Sequence, residues 1–68
     1  MSASSDLALL SSIATQVDEL AQRVTELGDQ YGTTPDSAIA AELYSVERSL
    51  HTATRSLERA TRLLQDIA

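Results

Sequence analysis

The stretch Gly28-Asp29-Gln30-Tyr31-Gly32-Thr33-Thr34-Pro35-Asp36 holds both glycines and the only proline of a 68-residue chain. Glycine and proline are the strongest local breaks in regular structure, and here they occur nowhere else. They divide the sequence into two long uninterrupted segments joined by one turn. Thr34 suits an N-cap, because its hydroxyl can accept from a free N–H of the helix that follows. Pro35 suits the first helical position, where a missing N–H costs nothing, and Asp36 then meets the positive end of the helix dipole. Gly28 or Gly32 can supply the left-handed residue that ends the first helix. Gly32 is preferred, since Tyr31 continues the apolar phase described next. The first helix is expected to open near Ser4 or Ser5, with Asp6 in its first turn and residues 1–4 frayed.

Outward from the turn, the apolar spacing is regular in both directions. The second segment runs Ile39, Leu43, Val46, Leu50, Ala53, Leu57, Ala60, Leu64, Ile67, with steps of four and three in strict alternation. This is a heptad repeat with Leu43, Leu50, Leu57 and Leu64 at a, and Ile39, Val46, Ala53, Ala60 and Ile67 at d. The first segment runs Leu10, Ile13, Val17, Leu20, Val24, Leu27, Tyr31 in the same phase. Its stripe is widened by a further column at e, Leu7, Ala14, Ala21 and Gly28. Apolar positions a, d and e together mark a helix that touches more than one neighbour. The fold predicted is all-α, a single-domain antiparallel hairpin with helices at about 5–31 and 35–67. Folding about residues 32–34 sets Leu27 beside Ile39, Val24 beside Leu43, Leu20 beside Val46, Val17 beside Leu50, Ile13 beside Ala53 and Leu10 beside Leu57. Leu63, Leu64 and Ile67 then face only Met1 to Ser5.

Composition agrees with this class. The chain is 43% hydrophobic, which is too apolar for a disordered tail, and Ala, Leu, Glu, Gln and Arg favour helix over strand. It has no cysteine and one histidine, His51, so neither a disulfide nor a zinc site can support the fold. Domains this short seldom bury enough apolar surface alone, and an isolated hairpin leaves the flank of each stripe in water. A homodimeric four-helix bundle is therefore expected, with Ala53 and Ala60 allowing close approach of a neighbouring helix. No window approaches a transmembrane length, and the N-terminus has neither the basic nor the apolar region of a secretory signal. A cytoplasmic protein is the expectation.

The polar residues offer little chemistry. His51, at b, has no second histidine or cysteine to share a metal. No glycine-rich phosphate loop and no strained nucleophile turn is present, so neither an enzyme nor a cofactor is expected. Arg48, Arg55 and Arg62 recur at f with Arg59 beside them, forming a basic stripe within a chain of net charge -5. Glu58 and Asp66 stand at pairing distance in sequence, so the stripe reads first as a solvated, internally paired face. Tyr44 with Arg48 is the best candidate for a contact with another protein, since tyrosine is favoured in interface hot spots. The first segment, residues 1–34, carries five acids and one arginine, whereas residues 35–68 carry five acids and four arginines. That imbalance favours pairing unlike helices.

The hairpin-and-turn layout is similar to that of the Rop-type RNA-modulating proteins, which are dimers of short helical hairpins. That resemblance implies RNA as a partner, reached through the arginine stripe, although the net negative charge and lack of lysine weigh against nucleic acid. The layout also resembles the WXG-type secreted hairpins, whose turn carries Trp-x-Gly and whose second helix is followed by Tyr-x-x-x-acid. Here Tyr31-Gly32 stands in the turn without a tryptophan, and Arg48 is four residues after Tyr44. That second resemblance implies export without a signal peptide. The sequence itself supports best a non-enzymatic interaction module that binds a second copy of itself and an unidentified protein.

Overall fold

The computed structural model describes residues 2–68. It contains two helices, α1 (Ala3–Tyr31, 29 residues) and α2 (Ser37–Ile67, 31 residues), packed side by side as an antiparallel hairpin with extents of 51 × 15 × 12 Å. No helix is long and apolar enough to cross a membrane among the described residues.

The helix ends differ in detail from the sequence expectation. Ser2 caps α1, its side chain accepting from the Ser5 N–H at 3.2 Å, so the helix opens ahead of Ser4 and still holds Asp6 in its first turn. Met1 lies outside the described residues. At the far end α1 runs to Tyr31 as expected, but Gly32 is right-handed (φ -63, ψ -27) and no glycine has positive φ. The left-handed terminator is thus absent. Thr34 closes the helix instead: its N–H and its hydroxyl both donate to the Tyr31 carbonyl, at 3.2 and 2.8 Å. The Thr34 hydroxyl oxygen also accepts from the Asp36 N–H at 3.2 Å. Thr34 therefore makes the hydrogen bond of a cap, but α2 begins at Ser37 with Asp36 at the N-cap, two residues later than expected. Pro35 sits in the connecting turn.

The larger difference is in the seam. Ala21, Gly28 and Ala40 are the buried residues, with Ala21 and Ala40 each only 3% exposed. All three belong to the e column, which in α2 reads Ala40, Glu47, Thr54, Thr61. The half-buried a residues, among them Val17, Val24, Leu43, Leu50, Leu57 and Leu64, complete the contact. The hairpin therefore closes on a and e, and the d column expected inside it lies outside. Small side chains explain the choice. Alanine and glycine let the helix axes approach closely. Thr54 and Thr61 donate their hydroxyls to the carbonyls of Leu50 and Leu57 at 3.1 and 2.8 Å, so neither leaves an unmet polar group in the seam.

The register moves with the seam. Tyr44, not Ile39, reaches the end of α1. A Cβ built on Gly28 would lie 2.9 Å from the Tyr44 ring. His51 likewise shares a shallow groove with Asp18, Ala21, Gln22, Thr25 and Glu26. The two helices are thus offset by more than a helical turn from the expected pairing of Leu27 with Ile39 and Val24 with Leu43. The longer connection, running to Asp36, supplies the offset. It also carries Leu64 back over α1, where it is half-buried.

Candidate functional site

Once a and e face the other helix, the remaining columns fall on fixed sides. Around a helix at 100° per residue the order is a, e, b, f, c, g, d. The seam therefore has b and f on one flank, and d and g on the other. In an antiparallel pair, equivalent columns of the two helices lie on the same side.

The d and g flank pairs a largely apolar d column with a mixed g column, in which Leu9 and Leu63 stand with Gln16, Arg23, Gln30, Glu42, Ser49 and Ser56. Leu20, Leu27, Ile39, Val46 and Ile67 from d, with Leu9 and Leu63 from g, are 43–81% exposed. Every large hydrophobic residue exposed to this degree among the described residues belongs to these two columns. Ala53 and Ala60 lie exposed between them, and Ile13 is half-buried. Along α1, Leu20, Val24 and Leu27 border a shallow depression with Arg23, Glu26 and Gln30. Side chains of this size gain stability only when removed from water, and an exposed apolar stripe rimmed by polar residues is a usual mark of an association surface.

The b and f flank is polar. The Tyr44 ring occupies the space a side chain at Gly28 would need, and its hydroxyl donates to Asp29 Oδ1 at 2.6 Å. That hydrogen bond, with some loss of hydration and the negative charges of Asp29 and Glu47, holds the Tyr44 phenol above its ordinary pKa. Tyr44 is therefore engaged by α1 of its own chain while remaining partly exposed, one turn before the exposed Arg48. Glycine at position 28 is what admits the ring. The sequence carries this signal only as a glycine in the e column three residues before Tyr31, a position that a reading by helix termini weighs as an alternative end of the helix.

His51 Nε2 lies 3.9 Å from Glu47 Oε1, one turn earlier on α2. This is the one acid–base contact within 4.0 Å among the described residues. The pairing expected of Arg55, Glu58, Arg62 and Asp66 is thus not formed. Arg59 Nη2 donates to Ser56 Oγ at 3.0 Å. Arg48, Arg55, Arg59 and Arg62 all stand exposed on the outer surface of α2. The sequence-level candidates consequently divide. The d residues Ile13, Leu20, Leu27, Ile39, Val46, Ala53, Ala60 and Ile67 form one face, whereas Tyr44 and the arginines lie beyond the other flank or on the back of α2. No protein-family model matches the chain, and neither a curated protein nor a solved structure matches it.

Proposed function

We propose that this chain is a non-enzymatic helical-hairpin interaction module that dimerises through its d and g face, two hairpins forming a four-helix bundle. The observation that carries the reading is the gathering of all the large exposed hydrophobics onto one side of the hairpin. Two further points support it. Among the described residues, only alanine side chains are buried apolar residues in the single hairpin, and no large side chain is fully enclosed. The chain also exposes 4893 Å², against roughly 4,200 Å² expected for a compact folded protein of 7.3 kDa. The excess, roughly 700 Å², is close to the ~800 Å² that each partner contributes to a standard protein interface.

The dimer would leave Tyr44, His51 and the arginines on its outer surfaces, where a further protein can be engaged. Sedimentation equilibrium at micromolar concentration tests the first step. The expected mass is that of two chains, falling to one chain in Val46→Glu, which places a charge in the middle of the apolar face. A well-folded single chain in the unsubstituted protein overturns the reading.

A further inference from the structure

Two hairpins can stack on their apolar faces in two ways that keep neighbouring helices antiparallel. With both turns at the same end, α1 of each copy lies across α2 of the other. With the turns at opposite ends, each helix lies across its own counterpart. We propose the first arrangement, a conclusion that rests on the dimer reading above.

Shape is the first reason. The register fixed by Tyr44 on Gly28, and by His51 beside Asp18 and Glu26, sets the heights of the d residues along the hairpin. Leu27 stands near the level of Val46, Leu20 near Ala53 and Ile13 near Ala60. Same-end docking puts Leu27, Leu20 and Ile13 of α1 over the smaller Val46, Ala53 and Ala60 of α2 in the second copy. Both new helix contacts are then equivalent, and both can adopt the usual spacing of ~8–10 Å. Opposite-end docking sets the large d residues of α1 against one another, and Ala53 against Ala53 of the second copy. One contact is then too thick and the other too thin, and the mismatch becomes a void or an overpacked layer.

Charge is the second reason. Within its helical span α1 carries five acids and one arginine, whereas α2 carries four acids and four arginines. Opposite-end docking lays one acidic helix along another. Same-end docking lays each acidic helix along a balanced one. Exposed charges add little affinity, and the arginines of α2 lie away from the apolar face, but long-range repulsion between two acidic α1 helices disfavours the opposite-end arrangement.

The test uses the natural absence of cysteine. Thr33→Cys at the turn and Ala68→Cys at the open end are each labelled with a nitroxide in the full chain, and the distance between copies is measured by pulsed dipolar spectroscopy. Both labels are expected to give one short distance, roughly 20 Å, set by helix spacing within the bundle. Distances of about 40 Å or more at both sites, set by helix length, would overturn the docking direction and leave the dimer standing. Two populations, short and long, would overturn a single arrangement. No dipolar coupling, with a monomer mass by sedimentation, would overturn the dimer and this proposal together.

Discussion

At the scale of single residues, the hairpin is pinned by Tyr44, Gly28 and Asp29. The phenol donates to Asp29 at 2.6 Å and its pKa lies above the ordinary value, chiefly because of that hydrogen bond. A group whose pKa rises on folding lends stability fully below its unfolded pKa. That stability is lost as pH climbs through the folded value. Tyr44→Phe should therefore be less stable than the unsubstituted chain at neutral pH, and the gap should close on the alkaline side of about pH 10. Urea titrations of both proteins at pH 7 and above 10 measure it, and a gap that widens with pH contradicts the assignment. Gly28 gives a second prediction. Within a helix, glycine to alanine ordinarily stabilises by about 1 kcal/mol. Here the added Cβ would come 2.9 Å from the ring, closer than side chains tolerate, so Tyr44 must swing off Asp29. Gly28→Ala alone is expected to lower the melting temperature. In a Tyr44→Ala background, the same change should raise stability by about 1 kcal/mol. If both backgrounds respond with the same sign, the ring does not rest on Gly28.

At the scale of the elements, the two contributions to the seam compete, and the sequence displays only one of them well. Hydropathy makes the d column prominent, because Leu20, Leu27, Ile39 and Val46 are large. Closeness of approach favours the e column, because Ala14, Ala21, Gly28 and Ala40 are small. A single hairpin closes on the small column and turns the large one outward. The existence of two helices, the turn and the end of α1 at Tyr31 were legible in the spacing of the apolar residues and in the position of the glycines and Pro35. The seam, and with it the register, was not. Thr54 and Thr61 look polar until their hydroxyls are seen to bond the carbonyls four residues back. The candidate face was legible only as a set of residues. The sequence named the d residues, but placed them inside the hairpin rather than on its flank. The seam assignment has a direct consequence. Ala21→Leu should force the helices apart and destabilise the chain by about 1–3 kcal/mol, the usual range for overpacking. Ala53→Leu, on the exposed flank, should not loosen the hairpin in this way. Chemical denaturation of the two variants distinguishes them, and a tolerated Ala21→Leu would place the seam elsewhere.

At the scale of the whole molecule, folding and association become separable questions. Leu50 is half-buried against α1, whereas Ala53 is exposed on the d face, although both continue one heptad stripe. A charge at the first should damage the hairpin, and a charge at the second should damage only what covers the hairpin. If the dimer supplies part of the stability, dissociation is coupled to unfolding, and the melting temperature must rise with protein concentration. The unsubstituted chain should show that rise in circular dichroism melts spanning a hundredfold range of concentration. Ala53→Glu should lose the concentration dependence and melt at a lower temperature, while retaining a helical spectrum in the cold. Leu50→Arg should lose most of its helical signal at every concentration, because it puts an uncompensated charge between the two helices. The contrast is informative in either direction. Were Ala53→Glu as disruptive as Leu50→Arg, the hairpin could not stand without its second copy, and the two seams would form in one step. Were the melting temperature flat with concentration in all three proteins, the apolar face would have to be covered by a different protein.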